Sequence, residues 1–184
     1  MNSLITPVFR KFDAGADLAL VTDSWTRQIR RLEPWRSMTR GQFKEHRRHL
    51  VNIIKRTGAL IACSPDDWNL VYGYLCGELR STSSDGYCQV LHMLYVRNLW
   101  RQQGVATALL ETAYPELGEA PLWFTHWTRS ARHHQHRWNL KQNPYLTGSP
   151  EWKKSDMPGL STRTRGKRSF MREKGTKSSP TTLG

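Results

Sequence analysis

Between Tyr87 and Ala113 the spacing of apolar residues changes from the alternation of a strand to the three-and-four spacing of a helix. The change happens across one short turn that ends at Gly104. The run Tyr87-Cys-Gln-Val-Leu-His-Met-Leu-Tyr-Val is the most β-prone of the chain. In the segment after it, Val105, Ala108, Leu109 and Thr112 or Ala113 share one helical face. A strand that feeds a helix through so short a connection predicts a layered domain of helices against a sheet.

The rest of the first 148 residues fits that plan. Thr6–Phe12 reads as a strand, and 15–32 as a helix with Leu18, Val21, Trp25 and Ile29 on one face. Glu33-Pro34-Trp35 ends it, because proline disfavours helix in the residue before it. Thr39 is a predicted N-cap with Gln42 completing a capping box. Phe43, Leu50, Val51 and Ile54 then share a face, opposite Lys44, Arg47, Arg48, Lys55 and Arg56, and Gly58 suits the C-terminal cap. Ala59–Cys63, Leu70–Leu79 and Tyr87–Val96 predict an antiparallel meander, separated by Ser64–Asn69 and by a loop ending Asp85-Gly86. Pro121–Trp127 reads as a further strand, and Ser130–Leu140 as helix broken by Asn143-Pro144, with a last short strand near Tyr145-Leu-Thr. The expected order is β-α-α-β-β-β-α-β-α, without internal repeats.

Charge separates the two ends. The 184 residues carry 28 Lys and Arg against 15 Asp and Glu, a net charge of +13. Nine of the basic residues and three of the acidic ones fall in 149–184, where the apolar pattern stops. Such a stretch cannot bury enough surface to offset the cost of ordering its backbone, so a disordered basic tail is expected there. The domain itself is expected to span 1–148. Basic chains of this kind attract polyanions, which makes nucleic acid an expected partner, through the tail and the basic helix face. Three cysteines at unremarkable spacing argue against a disulfide framework or a zinc ribbon. No apolar run reaches the roughly 20 residues of a membrane helix, and the start resembles no secretory signal, so a cytoplasmic protein without membrane contact is expected.

The chemistry is concentrated in Leu94-Tyr-Val-Arg-Asn-Leu-Trp-Arg101-Gln-Gln-Gly104-Val-Ala106. The first N–H groups of a helix have no internal partner and sit at the positive end of its dipole, which suits a phosphate. Gly104 lets backbone approach a ligand, Ala106 keeps the helix start uncrowded, and Arg101 can add a charged donor. An ordinary strand-to-helix turn with a convenient glycine is the plainer alternative.

This stretch resembles motif A of the GNAT superfamily of acyl-CoA-dependent N-acyltransferases, Arg/Gln-x-x-Gly-x-Gly/Ala after a strand often reading Leu-Tyr-Val. Arg101, Gly104 and Ala106 match the pattern, with Leu94-Tyr95-Val96 before them. The resemblance extends to element order over roughly 4–146 and implies an α/β (α+β) fold. In it a mixed, mainly antiparallel twisted sheet carries helices on both faces. It also implies acetyl-CoA as co-substrate, its pyrophosphate on the backbone amides of Arg101, Gln102, Gln103, Gly104, Val105 and Ala106. The pantetheine arm would lie where the fourth and fifth strands splay, flanked by backbone of Leu94 and Val96. The implied reaction is direct attack of an amine, carried by a small molecule or a protein, on the acyl carbon. Compact basic GNAT-like proteins are also encoded by tailed phages.

A base must take a proton from that amine. Family members often place a Glu on the fourth strand a few residues before its end; here those positions are His92 and Val90, so His92 is the candidate. On plain alternation it faces the side of Val90, Leu94 and Val96, a parity that a bulge would undo. The plainer alternative is a half-buried strand histidine bonded to a neighbour. The family's acidic Tyr on the helix after the fifth strand falls at Gln135, with Thr128 in place of a preceding Asn; Tyr145, with His134 and His136 as alternatives, is the substitute candidate acid. His126, His133, His134 and His136 permit metal spacing, but no acidic residue or cysteine lies near them, and no metal is expected. Arg129, Arg132, His133, Arg137 and Trp138 are expected instead to form a basic, aromatic surface. Of eight tryptophans, Trp25 and Trp123 have core spacing, while Trp35, Trp68, Trp100 and Trp127, in or beside loops, are expected to cap the core edge, with an acceptor pocket lined by Trp35 and Trp127 as the alternative.

Two functions are expected to compete: an acetyl-CoA-dependent N-acetyltransferase, and a GNAT-fold nucleic-acid-binding, DNA-modifying or phage structural protein with little turnover.

Overall fold

The computed structural model describes residues 6–32, 35–81, 87–115, 117, 119–126 and 137–147. Six strands form one sheet in chain order. They are β1 (Val8–Lys11), β2 (Leu60–Cys63), β3 (Val71–Ser81), β4 (Tyr87–Val96), β5 (Leu122–Phe124) and β6 (Leu140–Gln142). β1 to β4 pair antiparallel, whereas β4–β5 and β5–β6 pair parallel. Among the described residues three α-helices cover the sheet: α1 (Ala14–Ile29), α2 (Arg40–Thr57) and α3 (Val105–Ala113).

The helix ends follow from their caps. Asp13 accepts from the amides of Gly15 and Ala16 to open α1. Thr39 and Gln42 close the expected capping box on α2, and Gly58 ends that helix at φ +67°. Val21, Trp25 and Ile29 of α1 and Leu50, Ile53 and Ile54 of α2 are buried against Ile61, Tyr74, Cys76 and Met93. On the other face, Val105, Leu109, Leu110 and Tyr114 pack on Tyr72, Leu75, Leu122, Phe124, Trp138 and Leu140. The sheet is therefore covered on both faces, as a parallel-edged mixed sheet requires.

β4 carries an irregularity that sets which way the residues after its histidine face. Gly77 stands opposite Leu91 and Cys76 opposite Met93, so His92 is an extra residue, a β-bulge. Val90, opposite Glu78, and Met93, opposite Cys76, belong to the α1–α2 face. Leu94, opposite Leu75, belongs to the α3 face.

The C-terminal elements correct the sequence-based expectation. The strand expected at Pro121–Trp127 is shorter, Leu122–Phe124. The helix expected over Ser130–Leu140 falls largely on 127–136, outside the described residues. Where it is described it is not helical: 137–139 are turn, with Asn139 at φ +46°, and Leu140 begins β6. The last strand lies there and not at Tyr145-Leu-Thr, which belongs to a 3-10 turn, Pro144–Thr147. Leu140 buries its side chain beside Leu122, and that anchor holds a three-residue strand that alternation alone does not reveal. The expected tail, 149–184, lies outside the described residues.

Candidate active site

β4 leaves the sheet at Val96, and the amide of Arg97 still donates to the Tyr72 carbonyl. A 3-10 turn, Asn98–Trp100, comes next, with the Trp100 ring against that of Tyr72 at 4.3 Å between centroids and a tilt of 40°. The loop is braced from within. Arg101 Nε donates to the Val96 carbonyl at 3.1 Å, and Gln103 Nε2 to the Leu99 carbonyl at 2.9 Å. Gln102 stands at φ +62° and Gly104 at φ +82°. A left-handed conformation costs a non-glycine residue about 1 kcal/mol, strain of the kind that gathers at ligand-binding turns. No side chain caps α3 at Gly104. Among the described residues no side chain accepts from the amides of Gln102 through Ala106. A row of donors at the positive end of a helix dipole fits an anion.

The pairing of β4 with β5 ends at Leu91 opposite Phe124, with one further bond from the Thr125 amide to the Leu91 carbonyl. Beyond that point Met93 to Val96 pair only with β3, among the described residues. Leu94 and Val96, expected beside a thioester, therefore lie on a strand edge that β5 does not cover. One acceptor position of the Val96 carbonyl is taken by Arg101.

His92 shares the side of Val90, as plain alternation predicts, but not that of Leu94 and Val96, which the bulge turns to the α3 face. It faces α1 and α2. There its Nε2 lies 3.0 Å from Oε1 of Glu78, and the imidazole is fully buried. Glu78 also receives Arg80 Nε at 2.6 Å and Arg56 Nη2 at 3.1 Å. Burial alone would raise the Glu78 carboxyl; the hydrogen bonds from His92, Arg80 and Arg56 outweigh it and hold the group down at about 2. For His92 burial is the larger influence and lowers its pKa, against the pull of Glu78. At neutral pH the carboxylate can only accept, so Nε2 carries the imidazole proton and Nδ1 is a bare acceptor. That Nδ1 is buried without a hydrogen-bond partner.

Beside His92 lies an aromatic cluster. His126, just past β5, meets Trp25 edge-on at 6.2 Å and Trp35 at 5.5 Å, and Trp35 meets His46 of α2 at 6.0 Å. His126 Nδ1 pairs with Thr125 Oγ1 at 2.7 Å, and Thr125 Oγ1 also reaches the His92 carbonyl. Burial, then the neighbouring His46 and His92, push His126 down to about 4, so it is neutral at physiological pH. Trp25 Nε1 and His46 Nε2 are also buried without partners. Orphaned polar atoms beside one another are uncommon in a finished core.

Of the predicted site residues, Arg101, Gln102, Gln103, Gly104, Val105 and Ala106 form one loop adjoining Leu94 and Val96. Tyr145 sits in the turn after β6, 56% exposed, its amide bonded to Asn143 Oδ1. None of its described bonds reaches His92 or the loop. Glu78 escapes the sequence pattern, because the family's acid belongs on β4 and Glu78 stands on β3. The register of the β3–β4 hairpin, counted back from its loop, carries that information. His133, His134, His136, Arg129, Arg132 and Trp127 lie outside the described residues. Trp138, expected on a basic surface, is instead buried in the core beneath α3. Trp25 is core as expected, whereas Trp123 is half-exposed, with Lys141 Nζ over its ring. The basic face of α2 is partly neutralised: Arg47 pairs with Asp23, Arg48 with Glu45 and Arg56 with Glu78. Among the described residues no group of His, Cys, Asp and Glu is arranged to hold a metal, and no helix is long and apolar enough to cross a membrane.

No protein-family model and no curated protein matches this chain. Solved structures do. A possible acetyltransferase from Clostridium difficile superposes with a TM-score of 0.54 at 10% identity, over 81% of this chain and 98% of that one. A predicted acetyltransferase with acetyl-CoA from Clostridium acetobutylicum gives 0.53 at 18% identity, over 81% and 95%. At such identities the likeness speaks for architecture, and the architecture is the GNAT fold, a mostly antiparallel six-stranded sheet with three helices.

Proposed function

We propose that this chain is an N-acetyltransferase that moves an acetyl group from acetyl-CoA to an amine on a small molecule or a protein. Acetyl-CoA, when bound, supplies the acyl group as an activated thioester. The amides from Gln102 to Ala106, with Arg101, hold its diphosphate by charge-assisted hydrogen bonds. The uncovered edge of β4 at Leu94 and Val96 takes the pantetheine arm. His92, neutral and with its proton held on Nε2 by Glu78, offers the Nδ1 lone pair to the proton that the attacking amine must lose. Trp35, His46 and His126 border the acceptor. We assign no step to Tyr145.

What supports this reading most is the coincidence of two features at one end of β4: an uncapped helix start behind a strained loop, and a strand edge that β5 leaves uncovered. The test is incubation of the full chain with acetyl-CoA and a panel of amines, following release of free thiol. Thiol release that depends on the amine supports the reading; none with any amine class, while acetyl-CoA binds, favours the second one. That second reading is a GNAT-fold binding protein with little turnover, and one observation favours it. The His92 imidazole is sealed from solvent, which a base exchanging protons with an acceptor must overcome.

A further inference from the structure

A groove of about 590 Å³ runs between the second half of α1 and the first turns of α2, lined by Asp23, Thr26, Arg27, Arg30, Arg31, Arg36 and Phe43. Its charge is one-sided. Among the described residues Asp23 is its single carboxylate, and it is already paired with Arg47 at 2.7 Å. Arg27, Arg30, Arg31 and Arg36 are exposed and form no salt bridge with any described residue. Arg27 lies on the last turn of α1, and Arg30 and Arg31 follow at its C-terminal cap, where their amides still bond back to Thr26 and Gln28 and keep the three side chains close together. Arg30 lies 4.7 Å over the Phe43 ring, which anchors one guanidinium at the groove floor.

Four guanidinium groups around one concavity, paired with no described carboxylate, repel one another unless something negative fills it. A single phosphate is satisfied by one or two bidentate arginines. Four of them, spread along a helix and an adjoining turn, fit a ligand carrying phosphates in series. Phe43 lies beneath Arg30, so the groove reads backbone charge and offers no stacking platform. The chain's net charge of +13 adds long-range attraction for such a ligand.

The geometry points to a binding groove for the phosphate backbone of a nucleic acid, on the α1–α2 side of the molecule. The groove adjoins the aromatic cluster: Arg36 follows Trp35, and Phe43 stands one turn before His46 on α2. It shares no residue with the Arg101–Ala106 loop, so its occupancy does not depend on acetyl-CoA.

The experiment uses the full chain and a fluorescein-labelled oligothymidylate, followed by anisotropy across a range of salt concentrations. Replacing Arg27, Arg31 and Arg36 together by Ala is expected to weaken binding roughly tenfold or more and to reduce the slope of log affinity against log salt by about 2. A control removing equal charge elsewhere, Lys11, Lys55 and Lys141 to Ala, is expected to change little. Arg31→Glu alone, at an exposed position, is expected to weaken binding several-fold and serves if the triple variant does not fold. Acetyl-CoA affinity is expected to stay unchanged in all of them, which separates this groove from the acetyltransferase reading. Equal weakening by the arginine and lysine sets would overturn the inference, since net charge alone would then explain binding. Absence of binding by the unaltered chain would overturn it too, as would equal affinity for polyglutamate of matched charge, which would make the ligand an acidic polypeptide.

Discussion

Nε2 of His92 lies 3.0 Å from Oε1 of Glu78, on the sheet face that Glu78 shares with its partner Val90. The pair directs the imidazole proton toward Glu78 and leaves Nδ1 bare. Arg56 and Arg80 keep the carboxylate ionised. His92→Ala is expected to lower kcat by roughly a hundredfold or more with acetyl-CoA affinity unchanged. Glu78→Gln is expected to lower kcat as well, and to move the acid limb of the pH–rate profile downward, because Glu78 raises the His92 pKa against the larger effect of burial. Steady-state kinetics across pH checks both. An unaltered rate in His92→Ala removes the histidine from the mechanism.

Stability should depend on pH through His126. Its folded pKa, about 4, lies below its ordinary 6.5. The unfolded chain therefore binds more protons than the folded one between those values, and stability rises with pH. The contribution is complete above about pH 6.5 and is lost as pH falls toward about 4. Urea midpoints measured at steps across that window should fall with acidification, and His126→Gln should flatten the fall. A variant with the same slope as the parent would show that His126 is not the titrating group.

Glu78 acts lower on the scale. Its pKa of about 2 lies below the ordinary 4.5, so its contribution is complete above about pH 4.5 and drains as pH drops toward about 2. Thermal unfolding of Glu78→Gln should lose that acid dependence while keeping the His126 dependence.

Asp17 joins the start of α1 to β1. It is buried, takes both Nη groups of Arg10 at 2.6 and 2.9 Å, and accepts from the Asp13 amide. Asp17→Ala leaves a largely buried guanidinium unpaired and should cost about 3 kcal/mol in denaturant unfolding. Arg10→Met with Asp17→Leu should cost less than Asp17→Ala alone, because no charge is stranded.

Much of this structure was legible where signals are local. Thr39, Gln42 and Gly58 bound α2 as their cap chemistry dictates, and the run Tyr87–Val96 is β4 to the residue. The turn at Gly104 was legible for the same reason: left-handed backbone and a helix start leave a residue signature. What escaped depends on partners far along the chain. The bulge at His92 exists only in relation to β3, and it separates the face of His92 from that of Leu94 and Val96. Glu78 becomes the partner of His92 through register. His126 and Trp35 meet across 91 positions, a contact no periodicity announces. β6 is a three-residue strand held by Leu140 against Leu122, too short to show alternation.

The most direct measurement is calorimetric titration of the full chain with acetyl-CoA, beside the same titration of Gly104→Glu and Gly104→Ala. The unaltered chain should bind in the micromolar range. Gly104→Ala, which strains φ +82° without adding charge, should bind more weakly. Gly104→Glu, folded by circular dichroism, should not bind, since its carboxylate meets the diphosphate at the start of α3. Absence of heat from the unaltered chain, or equal affinity in Gly104→Glu, would contradict the assignment of this loop as the diphosphate cradle.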